Sequence, residues 1–377
     1  MPLALKLASR NLFHDRLRFV ATIVGIVFSI VLVTVQMGLY VSFDRMVSTM
    51  IEHTPADLWI VPAGTKCFED PSVLDERERF RALSTSGVAD VRPLVIGFAQ
   101  WKTPAGGTTP VFIIGSDTKA EGLRPWNLIE GRLDDLEIPD TVVVDRSYLE
   151  RLGVDGLGAS SEINGQKVRI VGLTKGIRSF TTTPYVFTSL DRARAYTGAL
   201  PSKISYLLVH VAPGAGVESV RRRLQQTMSS VEILSPSEFG SRSRSFWLFG
   251  TGAGAALFAG ALLGVIVGTI IVAQTLYSST KDHLNEFATL RAMGSSGLYI
   301  HKVIIFQALL SAVVGFAVAA VIGWIISDAT RETALPVIMT PTLMLGLLLL
   351  TIVMCVLSAV SAILQVIRID PAMAFTR

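Results

Sequence analysis

The run FVATIVGIVFSIVLVTVQMGLYV, Phe19 to Val41, decides the fold, because it contains no Asp, Glu, Lys or Arg. A helix rises about 1.5 Å per residue, so about 20 apolar residues cross about 30 Å of hydrocarbon. Working outward, three more intervals are free of those four residue types: between Arg244 and Lys281, between Lys302 and Asp328, and between Glu332 and Arg368. Lys6, Arg10, Arg16 and Arg18 precede the first run as the n-region of a secretory signal would. A cleavable signal core is only about 7 to 15 residues, however, so the run is expected to stay as an anchor.

Composition agrees with a bilayer: half of the 377 residues are hydrophobic and 17% are charged, with a mean hydropathy of +0.51. The net charge of +4 reflects Lys and Arg beside apolar runs rather than a nucleic-acid patch, and no nucleic-acid partner is expected. Cys67 and Cys355 are the only cysteines, and the five histidines are scattered singly, so no disulfide framework or metal site is implied. Basic residues crowd the N-terminus, the 281–302 segment (Lys281, Arg291, Lys302) and the tail (Arg368, Arg377), whereas the loop between the last two spans has only Arg331. Both termini and the 281–301 loop are therefore expected on the cytoplasmic side, with the segment from Ser42 to Arg244 outside.

The fold class expected is an α-helical membrane protein with four transmembrane helices plus an α+β extracytoplasmic domain between spans one and two. In order, this gives an interfacial amphipathic helix (1–16), span one (17–43), a periplasmic α+β domain (44–243), span two (244–280) and a cytoplasmic helix and loop (281–301). Span three (302–328), a short external loop (329–341), span four (342–367) and a cytoplasmic tail (368–377) follow. Gly260, Gly264 and Gly268, with Gly250 and Gly254 above them, and Gly315, Ala319 and Gly323 form small-residue stripes that permit close helix packing. No ionisable residue lies deep in a span, which disfavours an ion pathway. In the cytoplasmic segment, helical periodicity puts Leu284, Phe287, Ala288 and Leu290 on one side and Asp282, Asn285, Glu286 and Thr289 on the other. Gly294 supplies a stop.

The external segment is long enough for a core of its own. β-rich runs such as Val88 to Trp101, Val111 to Ile114, Thr141 to Val144, Lys167 to Leu173 and Ile204 to Val211 alternate with helical candidates at Asp75 to Ser84, Leu190 to Tyr196 and Val217 to Ser229. Two subdomains are expected, with Asn164-Gly165 as a two-residue hairpin turn. Asp134, Asp135 and Glu137 read as a solvated loop. The sequence holds no G-x-S-x-G, HExxH, C-x-x-C or G-x-x-x-x-G-K-[ST], so neither hydrolase chemistry nor nucleotide binding is assigned to this chain.

Lys281 to Gly294, KDHLNEFATLRAMG, resembles the cytoplasmic signature of FtsX-like and MacB-like permeases, closest to the DevC branch. GFAQWK (97–102), IVGL (170–173), YVFTSL (185–190), Met354-Cys355 and Asp370-Pro371-Ala372 add weaker matches along the whole chain. The resemblance implies a homodimeric inner-membrane permease of an ABC exporter, bound to a separate ATPase that holds ATP and Mg, with no cofactor in this chain. It further implies a periplasmic adaptor (membrane fusion) protein and an outer-membrane channel as partners, beside the lipid bilayer. By that resemblance Asp282, His283, Asn285, Glu286, Thr289, Arg291, Met293 and Gly294 form the ATPase-coupling helix, and substrate already outside is expelled by mechanotransmission. Alternatives from the same resemblance are an FtsX-like transmitter regulating a cell-wall hydrolase and a lipoprotein-releasing permease. A neighbouring adaptor, a hydrolase partner or lipoprotein accumulation on deletion would separate them.

Overall fold

The computed structural model describes residues 8, 10, 12, 16–70, 72–117, 122–282 and 297–367. Two compact units emerge: residues 1–41, 255–331 and 336–377 form one, and residues 42–254 with 332–335 the other.

The first unit is helical. Helix α1 (Arg16–Glu52) enters it through residue 41, and four described helices in the chain are long and apolar enough to cross a membrane. In the second unit α1 ends at a Thr54-Pro55 turn and leads to β1 (Leu58–Pro62), β2 (Leu74–Asp75) and α2 (Arg77–Leu83). There follow β3 (Val88–Lys102), β4 (Thr108–Ser116), β5 (Leu128–Gly131), β6 (Thr141–Asp145), α3 (Leu149–Leu152), β7 (Ser160–Ile163) and β8 (Gln166–Thr174). The unit closes with β9 (Tyr185–Ser189), α4 (Leu190–Thr197), β10 (Lys203–Ile204), β11 (Tyr206–Val211), α5 (Val217–Thr227), β12 (Val231–Leu234) and α6 (Pro236–Ser245). The remaining membrane-length helices are α7 (Ala253–Asp282), α8 (Gly297–Ala329) and α9 (Pro341–Ile367).

Ten strands share one sheet in the order β12-β1-β11-β3-β4-β9-β6-β8-β5, with β7 bridging β3 and β8. Those pairings close a circuit β3-β4-β9-β6-β8-β7-β3 and leave β12-β1-β11 as an open arm on β3. The two expected subdomains are thus joined by a continuous sheet. Closure follows from the length of β3, whose end pairs with β4 (Trp101↔Thr109) on one side and with β7 (Trp101↔Ile163) on the other. The β7–β8 turn is the two-residue one read from Asn164-Gly165: both residues have positive φ, 48° and 81°, and Ile163 pairs with Gln166.

Alternation along the strands sorts the core into two layers. Val91, Val95, Ala99 and Trp101 of β3 pack with Ala193 and Tyr196 of α4 and Val220 and Leu224 of α5. Leu94 and Ile96 face the other layer with Trp59, Phe68, Phe112, Tyr206 and Phe239. A sheet covered on both faces explains why its strands read as nearly unbroken apolar runs. The buried Trp101 indole is paired within this frame, donating to the Leu152 carbonyl at 3.1 Å.

The boundary of span two differs from the sequence reading. Arg244 to Lys281 is one uncharged interval, yet the structure divides it. Helix α6, opened by a capping box between Ser235 and Glu238, belongs to the external unit. Phe246–Gly250 is a π-helical turn, Gly252 sits at φ 79°, and α7 starts only at Ala253. Gly254 faces the Leu248 carbonyl, 2.5 Å from where its Cβ would stand, so Gly250 and Gly254 serve this turn and not a helix seam. Hydropathy alone could not separate the turn from the span, because its residues are apolar for a different reason: Leu248 is buried and Trp247 packs against Phe180 at 4.7 Å.

Candidate functional site

Within the helical unit, α1 is the hub. Both small-residue stripes receive it. A Cβ at Gly260 would stand 2.8 Å from the Gln36 side chain, one at Gly264 3.2 Å from Leu32, and one at Gly268 2.4 Å from Ser29 Cβ. Tyr40 and Phe258 continue this α1–α7 seam, with ring centroids 4.8 Å apart. On α8, Gly315 faces Ile26 and Gly323 faces Thr34, while Ala319 is fully buried. Two hydroxyls bind backbones across the seams: Ser29 donates to the Gly264 carbonyl at 2.7 Å and Ser358 of α9 to the Thr269 carbonyl at 2.9 Å. The hydrophobic part of the interior they enclose is Ile26, Ile30, Val272, Leu276, Ile304, Met354 and Cys355, and the uncharged polar side chains of Gln307, Ser311 and Thr351 are also buried in these helices.

Asp282 closes α7 and forms an ion pair with Arg18 near the start of α1. The Asp282 side chain stays about half exposed (51%) beside that guanidinium. His283, Asn285, Glu286, Thr289, Arg291, Met293 and Gly294 lie outside the described residues, as does most of the 1–16 segment.

The weaker motifs at 97–102, 170–173 and 185–190 lie at framework positions. Gly97 lets α4 approach β3, since a Cβ there would meet Thr197 at 2.8 Å, and Gly172 does the same for Val143 at 2.9 Å. Tyr185 to Leu190 turns β9 into α4.

One cluster escaped the sequence altogether. After β1, the 63–70 loop buries Glu69, only 8% exposed. Tyr185 of β9 donates its hydroxyl to Glu69 Oε1 at 3.2 Å, and Trp247 of the π-helical turn donates its indole N–H to Oε2 at 3.1 Å. Burial pushes the Glu69 carboxyl from 4.5 up to about 7, against the pull of its hydrogen bonds. The neighbouring Cys67 thiol rises to about 12, chiefly through burial and the nearby Glu69 carboxyl. Phe68 N–H donates to Ser243 Oγ at 3.2 Å and Arg242 donates to the Thr65 carbonyl at 3.2 Å, so the loop also grips α6. The three residues are separated by more than a hundred positions between Glu69 and either donor, and no local pattern links them. Among the described residues no group of three His, Cys, Asp or Glu side chains is placed to hold a metal ion.

The family of the MacB-like periplasmic core domain matches residues 19–227, more than half of the chain, and that of the FtsX-like permease C-terminal region matches residues 247–371. The chain therefore belongs to the MacB/FtsX family of ABC transporter permeases. An ABC transporter permease of Mycobacterium tuberculosis is 23% identical over 380 residues, covering 98% of each chain. One from Mycobacterium bovis is 24% identical over 387 residues, again covering 98% of each. The periplasmic region of MacB from Actinobacillus actinomycetemcomitans aligns with a TM-score of 0.39 at 13% identity, over 51% of this chain and 94% of that one. The extracellular domain of the transporter YknZ, from Gram-positive bacteria, aligns with a TM-score of 0.36 at 15% identity, over 48% and 99%.

Proposed function

We infer that this chain is the permease half of an exporter that works by mechanotransmission, moving its external domain in response to a separate ATPase. The observation that carries this reading is the dry seam between α1, α7, α8 and α9. Ser29 and Ser358 spend their hydroxyls on backbone carbonyls, small residues draw the helices together, and among the described residues no Asp, Glu, Lys or Arg is buried between these helices. A large folded domain joined to such a bundle suits the expulsion of an amphipathic molecule already outside or drawn from the membrane. ATP and its metal belong to the partner, since this sequence has no phosphate-cradling loop. The segment from Lys281 to Gly294 is the seat for that partner, with the Arg18–Asp282 pair setting where it leaves α7.

Two copies around a two-fold axis supply the equivalent halves such a machine needs. Basic residues at both ends and in the 281–302 segment favour cytoplasmic termini in a bacterial inner membrane. A periplasmic adaptor and an outer-membrane channel complete the assembly. Affinity purification in mild detergent tests this directly: an ABC ATPase is expected to accompany the chain, with a detergent-corrected mass for two permease copies. Purification of an intact chain from its native membrane without any ATPase, or with a cell-wall hydrolase alone, would overturn the exporter reading.

A further inference from the structure

The Glu69 cluster has no part in the reading above, and its arrangement is costly unless it does something. A carboxyl with no cation bonded to it among the described residues sits in an aromatic core, held by its own backbone N–H, the indole of Trp247 and the phenol of Tyr185. A hydrophobic substitute would suit the neighbouring Phe68, Phe112 and Tyr206 better. Trp247 is also not an ordinary core residue. It belongs to the π-helical turn that precedes α7, and Gly252 at φ 79° follows it. Such π-helical turns are rare and recur at functional sites. Phe249 in the same turn is 62% exposed, whereas Trp247 is held to the domain by the Glu69 bond and by packing on Phe180, Met46 and Val47.

We propose that Glu69 is a proton-binding latch: protonated, it holds the Trp247 turn against the sheet, and on losing its proton to solvent it releases that turn as water enters to hydrate the carboxylate.

The groups around Glu69 support a single titration. From its own loop come Cys67, whose thiol is held neutral, and Asp70, which is exposed enough to be stabilised as a carboxylate by Ser72 and Lys66. From β9 and β11 come Tyr185 and Tyr206, both pushed well above the usual phenol range by burial. Tyr148, beneath Tyr185, accepts from Ser179 N–H and is likewise raised to about 12. Arg242 of α6 is engaged by Glu232 and the Thr65 carbonyl, and Arg178 lies on the Tyr148 side. Glu69 is thus the group in this cluster that changes charge near neutral pH. Its value is raised in the closed state, so closure is fully supported below about 4.5 and that support is lost as pH rises through about 7.

The test is hydrogen exchange of the full chain in detergent, read on the amides of residues 246–252 and corrected for the intrinsic pH dependence of exchange. Between about pH 5.5 and about pH 8.5 the parent is expected to lose protection by roughly thirtyfold in this turn, with little change in α5 or β4. Glu69→Gln, which keeps the shape and cannot ionise, is expected to show the same protection at both pH values. Trp247→Phe removes one donor to the carboxylate, so the infrared carboxyl band of Glu69 is expected to titrate at higher pH than in the parent. Unchanged protection in the parent across this range overturns the latch, as does an undiminished pH dependence in Glu69→Gln. If Glu69→Gln fails to fold, the Trp247→Phe titration decides: a midpoint that does not move contradicts a working bond between the two residues.

Discussion

Gly268→Leu is expected to lower the amount of folded protein in the membrane several-fold, while Gly346→Leu leaves the amount unchanged. A Cβ at residue 268 would stand 2.3 Å from Ser29 Oγ, 2.4 Å from Ser29 Cβ and 3.1 Å from Met354 Sδ. Ser29 cannot swing aside freely, because its hydroxyl donates to the Gly264 carbonyl one turn away on the same helix. The new side chain therefore meets α1 and α9 together and breaks the bond that closes the seam. Overpacking costs about 1–3 kcal/mol, and a lost buried hydrogen bond adds about 0.5–1.5 kcal/mol. Together they are a substantial fraction of a typical net stability of about 5–15 kcal/mol. At Gly346 nothing lies within 4 Å of the added Cβ, so the same residue change is tolerated there. Membrane abundance and the melting temperature in detergent measure the pair. Equal melting of Gly268→Leu and the parent would mean that α1 and α7 do not pack as described.

The second large effect is expected at the cytoplasmic segment. Glu286→Arg should weaken the ATPase association, since losing a charge from an interface centre costs about 2 kcal/mol or more when its partner stays buried, which is roughly thirtyfold in affinity. Gly294→Val should act differently. A residue that ends a helix in a left-handed conformation tolerates a β-branched side chain poorly, so association persists while hydrolysis and export come apart. Asp134→Ala, on an exposed turn of the external domain, is expected to change neither. ATPase co-purification, hydrolysis rate and export, with membrane levels as the control, distinguish these variants. Parent-like behaviour of Glu286→Arg in all three removes that residue from the interface.

These expectations draw on unequal sources. The four spans were legible because hydropathy is a local property: an uncharged run such as Phe19 to Val41 has few alternatives to a membrane-length helix. The Asn164-Gly165 turn was legible for the same reason, as two adjacent residues dictate it. The closed strand circuit was not, because it depends on Trp101 meeting Ile163 across 62 positions of chain. Nor was the start of α7. Phe246, Trp247, Leu248 and Phe249 are as apolar as lipid-facing residues, and only the Glu69 carboxyl and Gly252 reveal that they belong to a turn. The partner of Asp282 illustrates the limit most simply. Periodicity placed the residue on a polar face, but which partner that face would find depended on Arg18, more than 250 residues away.

The central claim is that nucleotide at a cytoplasmic partner moves the external domain without opening a conduit. The most direct measurement places a spin label at Ser202→Cys, an exposed position in the β10 turn, in the assembled complex of two permeases and their ATPase. Cys67 and Cys355 are buried and leave the label unique in each copy. The account predicts that the distance between the two labels shifts when ATP is bound and returns after hydrolysis. A distance that stays fixed through a complete hydrolytic cycle, in a complex that still exports, would contradict it.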